Sequence, residues 1–228
     1  IVSMVMNAND FAEKNGVEES GVRSLFDGLS GTGKTELAGY IAEKLNKKIC
    51  LKRVSDIMSP YVGENEQNIA KAFAEAEASG DVLLFDEADS FFSNRQDAVR
   101  SWERTLVNEF LTQMEEFNGI LICTTNLKTI MDPAMQRRFH ILTEFKPLEK
   151  YGIEKLLGRF FPAYEFEKFQ SEKLARYDSV TPGDFGSLAG KIRFMNPSLV
   201  SSELIIDELC KIQEEKDGIR NKRIGFVC

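Results

Sequence analysis

The chain alternates short apolar runs with stretches in which apolar residues return every three or four positions. The runs are "RSLFD" (Arg23–Asp27), "KKICLKRV" (Lys47–Val54), "DVLLFD" (Asp81–Asp86), "GILICTTN" (Gly119–Asn126) and "ILTEF" (Ile141–Phe145). Between them, "KTELAGYIAEKLN" places Leu37, Ile41 and Leu45 on one helical face. "ENEQNIAKAFAEAEA" does the same with Ile69, Phe73 and Ala76, and "SWERTLVNEFLTQMEEF" with Leu106, Phe110 and Met114. A run such as "VLLF", with no polar alternation, is a strand covered on both faces. Strands alternating with helices predict a parallel sheet between two helical layers.

Beyond Lys146-Pro147 the strand signal stops. "LEKYGIEKLLGRFF", "PGDFGSLAGKIRF" and "PSLVSSELIIDELCKIQEEK" read as helices, the last two opened by a proline in the first turn. Ile205, Leu209 and Ile212 form an apolar stripe on the last. Only "RIGFV", near the end, suggests a further strand. The reading is α/β: residues 1–147 form an αβα sandwich with a five-stranded parallel sheet, and residues 148–228 a small C-terminal helical lid domain.

Composition narrows the function classes. The 228 residues carry a formal net charge of −7, which argues against a general grip on nucleic acid. No run of ~18 apolar residues exists, so no membrane-spanning helix is expected. "IVSMVMNAND" lacks the basic start of a secretory signal. Cys50, Cys123, Cys210 and Cys228 are scattered, without a C-x-x-C pair; Cys50 and Cys123 are expected to be buried thiols. His140 is the single histidine, which excludes a histidine-ligated zinc protease for this chain. A reduced, cytoplasmic setting fits.

"GLSGTGKT" (Gly28–Thr35) fits G-x-x-x-x-G-K-[ST], between a predicted strand and a predicted helix. Glycines allow backbone N–H groups to turn around phosphate oxygens, and the helix N-terminus adds partial positive charge. This assigns Gly28, Ser30, Gly31, Thr32, Gly33, Lys34, Thr35 and Glu36 to nucleotide binding. Lys34 reaches the β- and γ-phosphates of ATP, and Thr35 ligates Mg²⁺. Asp27, just before the loop, is unfavourable near a triphosphate unless it points away. "LLFDEADSFF" ends a buried strand in acids: Asp86 serves the metal, and Glu87 polarises the attacking water.

At these residues the chain resembles the AAA ATPases, of a stand-alone bacterial kind, most strongly from Ser24 to Phe145. Four further stretches carry the resemblance. "SPYVGENEQNIAKAF" is similar to a substrate-gripping pore loop, with Tyr61 and Val62 at the aromatic–apolar position. "ICTTN" is similar to the family's sensor 1, which gives Asn126 a place facing the γ-phosphate and water. "MDPAMQRRF" is similar to the arginine-finger segment, with Arg137 and Arg138 as alternatives for the finger. "TPGDF" is similar to the start of the lid helix, with Gly183 and Asp184 near nucleotide. Leu29-Ser30 replaces the family's common Pro-Pro, and no arginine follows "TPGDF" at once; Lys191 or Arg193 could take that part.

The letters D-E-A-D also name a helicase family. That family needs two RecA-like domains, more than 228 residues hold, and S-A-T where this chain reads "CTTN". Ala88 and Asp89 are therefore read as incidental. Trp102 is expected to anchor its helix on the core. The resemblance implies an ATP-hydrolysing motor that assembles into a ring, a hexamer being the expected form, and remodels protein substrates, with no nucleic-acid or membrane partner. Alternatives are a nucleic-acid motor or loader, for which Arg95 and Arg100 are the candidate contacts, the AAA module of a larger ATP-dependent protease, and a P-loop kinase for a small molecule. Asn126, the arginine pair and the helical lid tell against the kinase.

Overall fold

A computed structural model describes residues 1–15, 21–61, 63–92, 101–126 and 133–222. Val62, Arg95, Arg100, Asp132 and "RIGFV" lie outside the described residues, as does the side chain of Trp102. The chain divides into two compact units. One comprises Ile1–Gly28 and Lys34–Phe145; the other comprises Leu29–Gly33 and Lys146–Cys228.

The first unit opens on α1 (Val2–Asn15), which the apolar pattern did not announce; Val5 is its fully buried contact with the core. Next come β1 (Val22–Gly28), α2 (Lys34–Lys44), β2 (Ile49–Arg53), α3 (Val54–Ile57), α4 (Glu64–Ser79) and β3 (Val82–Asp86). The short α5 (Asp89–Phe92), α6 (Ser101–Glu116), β4 (Ile120–Thr125), α7 (Pro133–Gln136) and β5 (Ile141–Phe145) complete it. The sheet is wholly parallel, in the order β2-β3-β4-β1-β5. The expected α/β sandwich is thus present, and all six residues of β4 are buried, as a central strand with two covered faces requires.

One face of the sheet buries Phe26, Ile41, Leu84 and Ile122; the other carries a phenylalanine cluster. There Phe91 stacks on Phe110 with ring centroids 4.5 Å apart, and Phe85 meets Phe110 edge-on at 5.2 Å. Such pairs add about 0.5–1.5 kcal/mol beyond their burial. Phe91 thereby pins α5, and with it the acidic turn after β3, to the core. Of the predicted apolar stripes, that of α4 is fully buried, whereas Leu37 and Leu45 of α2 are only half-buried. Cys123 is buried and its thiol pushed upward in pKa by desolvation; Cys50 is half-buried.

The second unit packs α8 (Lys150–Phe160), α9 (Lys168–Leu174), α10 (Pro182–Ile192) and α11 (Ser202–Lys222) around Ile153, Leu157, Phe185, Ile205 and Leu209. Pro197 does not open the last helix. Pro197–Leu199 is a single 3₁₀ turn, capped by the Asn196 side chain, and Val200 is extended. The Ser201 hydroxyl then accepts from the Leu204 N–H, 3.2 Å away. Two capping residues five positions apart divide the segment, because each satisfies its own set of free N–H groups. The α9 helix also went unrecognised in the sequence.

Candidate functional site

Because β4 lies between β1 and β3, three chain segments distant in sequence end side by side at the carboxyl edge of the sheet, where ligands of such sheets bind. After β1 comes the glycine loop. Gly28 has φ +142, and a Cβ there would lie 2.2 Å from the carbonyl oxygen of Phe145, so only glycine fits. Gly33 has φ +97 with open space where a Cβ would stand, leaving its backbone approachable. At the loop's centre the Gly183 N–H donates to the Gly31 carbonyl at 2.8 Å. Thr32 donates to the Leu29 carbonyl, whereas Ser30 and Glu36 are exposed.

Lys34 begins α2, so its neighbours' N–H groups lie at the positive end of an eleven-residue helix. Its buried ammonium donates to the Gly28 carbonyl at 2.7 Å and to Asn126 Oδ1 at 2.9 Å. Burial lowers its pKa; the carboxylates of Asp89, Asp86, Asp27 and Glu87 oppose that by favouring the charged form. The Thr35 hydroxyl donates to Asp86 Oδ1 at 3.0 Å. Two hydrogen-bonded pairs, Lys34–Asn126 and Thr35–Asp86, thus start from adjacent residues of α2.

A second set of contacts stitches β4 to the acidic turn, and the sequence reading missed it. Thr124 donates its hydroxyl to Asp86 Oδ1 at 2.6 Å while accepting from the Glu87 N–H at 3.0 Å. Its carbonyl accepts from the Ala88 N–H at 2.8 Å. Asp89 is not incidental: its Oδ1 accepts from the Thr125 hydroxyl and from the Asn126 N–H. The alternation rule had offered Thr124 and Thr125 only as strand residues. Their signal was two hydroxyls where a buried strand otherwise runs apolar. Glu87 itself is exposed and held at φ +55, a left-handed conformation that costs a non-glycine residue about 1–2 kcal/mol. Strain of this kind concentrates at functional turns.

The metal assignment can be tested on the donor set. Thr35 and Asp86 offer a hydroxyl and a carboxylate oxygen 3.0 Å apart, which suits Mg²⁺, an ion bound by one or two protein oxygens plus phosphates and water. Among the described residues no cluster of three or more His, Cys, Asp or Glu would hold a metal by itself.

Tyr61 is 68% exposed. Its loop is pinned by the first turns of α4: Asn65 accepts from the Ser59 N–H, Glu64 from the Ser59 hydroxyl, and Asn68 donates to the Ile57 carbonyl. In the helical unit Asp184 is buried, and its Oδ2 accepts from the Thr181 N–H, Gln213 and Lys216, the last at 2.6 Å. That carboxylate caps α10 and ties it to α11.

Arg137 is exposed, whereas Arg138 donates through Nε to Glu115 at the end of α6. Arg23 caps the same helix end, donating to the Met114 and Glu115 carbonyls at 3.2 Å. The Arg23 backbone N–H donates to His140 Nδ1 at 3.3 Å, and its guanidinium lies 2.9 Å from Nε2. Desolvation, then the Arg23 charge, lowers the pKa of His140. No apolar pattern foretold this node.

A parallel sheet in this order, with a glycine loop after β1 and an acidic turn after β3, defines a P-loop α/β domain. Residues 24–147 match the family described as "ATPase family associated with various cellular activities (AAA)". The chain belongs to that family. It is 33% identical over 165 residues to protein CdcH of Halobacterium salinarum, covering 69% of this chain and 22% of that one. It is 34% identical over 140 residues to protein SAV of Sulfolobus acidocaldarius, covering 58% of this chain and 18% of that one. The chain therefore spans about a fifth of the length of these relatives.

Among solved structures, it is similar to a chain of the E. coli MS115-1 HORMA:CdnC:Trip13 complex. The TM-score is 0.68 at 20% identity, covering 93% of this chain and 84% of that one. It is also similar to the FIGL-1 AAA domain in complex with ADP, with TM-score 0.64, 18% identity and 98% and 85% covered. These likenesses concern the fold.

Proposed function

We propose that this chain binds MgATP, hydrolyses it, and acts as a subunit of a ring-forming motor that remodels proteins. The observation that carries the reading is the convergence of three separate segments at the N-terminus of α2, where Lys34 bonds to Asn126 and Thr35, the next residue, to Asp86. In this reading the backbone N–H groups of Gly31 to Thr35 bind the phosphates, and Lys34 supplies a fixed positive charge toward the β- and γ-oxygens. Thr35 and Asp86 hold magnesium, which when bound neutralises charge developing on those oxygens. Glu87 accepts the proton of the attacking water, and the Asn126 amide orients that water. Positioning and fixed charge then supply most of the rate, as suits phosphoryl transfer.

Assembly enters through Arg137. An exposed guanidinium that can be offered to a neighbour's γ-phosphate completes a site that one subunit lacks. Tyr61, exposed on a loop anchored by α4, supports the protein-remodelling reading, since an aromatic ring grips extended chains without sequence preference. No described helix is long and apolar enough to cross a membrane.

The test is native mass of a Glu87→Gln variant with and without MgATP. ATP-dependent assembly is expected. A monomer under both conditions, with wild-type turnover per subunit independent of concentration, overturns the ring. Failure of the wild-type chain to bind MgATP overturns the whole reading.

A further inference from the structure

The acidic turn contains a third carboxylate to which the mechanism above gives no task. Asp89 begins α5, and Phe91, two residues on, is fully buried against Phe110, so the turn is anchored from below. From that anchored position a single oxygen, Asp89 Oδ1, receives the fully buried Thr125 hydroxyl and the Asn126 backbone N–H, the latter at 2.9 Å. Asn126 directly follows the last residue of β4, and its side-chain oxygen takes the Lys34 ammonium at 2.9 Å. The path from Asp89 to Lys34 thus consists of two hydrogen bonds, with the Asn126 backbone between them. Glu87 stands two positions before Asp89 in the same turn, its own N–H bound to Thr124.

We propose that Asp89 is a positioning residue for hydrolysis: it locks the turn bearing Glu87 to Asn126, so that the group that takes the water's proton and the group that orients the water move as one piece. The proposal rests on the ATPase reading for its kinetic part; its structural part stands without it.

The chemistry requires an acceptor at this point. Asn126 lies past the end of the strand, where its N–H has no ladder partner, and an N–H left without one beside a buried hydroxyl is costly. A carboxylate accepts two donors on one oxygen and binds each more strongly than a neutral acceptor would. Without it the end of β4 is free to shift. A displacement near 1 Å at a reacting group lowers turnover by about 100-fold while leaving remote binding contacts in place.

The test compares Asp89→Asn with Asp89→Leu, two side chains of similar size of which only the first keeps an acceptor oxygen. Three quantities are read: hydrogen exchange of the Thr125 and Asn126 amides in the nucleotide-free protein, the Kd of a fluorescent ATP analogue, and kcat. Asp89→Leu is expected to raise exchange at Asn126, to leave Kd within about 3-fold, and to lower kcat by about 10- to 100-fold. Asp89→Asn is expected to restore most of the protection and of kcat.

Equal loss in both variants overturns the proposal in favour of a pure charge effect, and wild-type exchange and turnover in Asp89→Leu overturns it outright. If Asp89→Leu fails to fold by circular dichroism, Thr125→Val takes its place; it should lower kcat and leave Kd within about 3-fold, and wild-type turnover in a folded Thr125→Val overturns the proposal. Altered exchange in a protein that hydrolyses no ATP would fail the ATPase reading while leaving the Asp89 contacts intact.

Discussion

The ammonium of Lys34 lies 2.9 Å from the side-chain oxygen of Asn126, a contact that joins the start of α2 to the end of β4. In the proposed mechanism Lys34 faces the phosphates and Asn126 the attacking water. Their contact predicts a division of effects. Lys34→Ala should abolish ATP binding, because the fixed charge is lost, while the fold remains. Asn126→Ala should bind ATP within a few-fold of wild type and lose turnover. Isothermal titration and steady-state rates on both variants check this; equal loss of binding in the two would assign Asn126 to ground-state binding.

Glu87 pays conformational energy for its place, with φ +55. Replacing it with glycine relieves the left-handed penalty, whereas alanine retains it. Glu87→Gly should therefore be more stable than Glu87→Ala by about 1 kcal/mol, less the extra flexibility of the unfolded chain, although both lose hydrolysis. Thermal or urea unfolding of the pair measures the difference. A Glu87→Gly variant less stable than Glu87→Ala would mean that the turn is not strained in solution.

The arginine pair divides by environment. Arg138 is engaged by Glu115, whereas Arg137 is exposed. Arg137→Ala should lower kcat by about 10³-fold at unchanged ATP affinity. Arg138→Ala should act more mildly, and Glu115→Gln should resemble it. Mixing Arg137→Ala with Lys34→Ala should restore activity, since some interfaces then combine an intact loop with an intact arginine. A larger loss for Arg138→Ala, with rescue on mixing, would assign the finger to Arg138.

His140 gives a pH dependence whose sign is fixed. Its folded pKa is lowered by desolvation and by the Arg23 guanidinium, so the unfolded chain takes up the proton first as pH falls. The stabilising contribution is present above the ordinary histidine value of about 6.5 and is lost as pH drops from there toward the folded pKa. Protonation removes the ring's one acceptor nitrogen, so that both ring N–H groups face Arg23 N–H groups. The ring is exposed, so the effect is small. His140→Gln should flatten the change in denaturation midpoint between about pH 7.5 and 5.5. An identical slope in the variant would assign the dependence to the carboxylates.

Much of this protein was legible in the sequence because the signals are local. Apolar runs without alternation marked the five strands, since a strand covered on both faces has no polar side. The loop Gly28–Thr35 and the pair Asp86–Glu87 stood out as motifs because each has a fixed short spacing of restricted residue types, and the structure puts both at the carboxyl edge of the sheet. Only the tertiary structure decided what lies beside what. The insertion of β4 between β1 and β3 brings Thr124, Thr125 and Asn126 between the two motifs and gives Asp89 its partners. Arg23, Glu115 and His140 meet because β1, α6 and the entry to β5 start or end together. Asp184, read as a nucleotide contact, has its carboxylate directed to Thr181, Gln213 and Lys216 by the packing of α10 on α11. The physical reason is common to all three. A hydrogen bond across a large sequence separation depends on strand order and helix packing, which arise from burial summed over the whole chain, and no short window of residues encodes that sum.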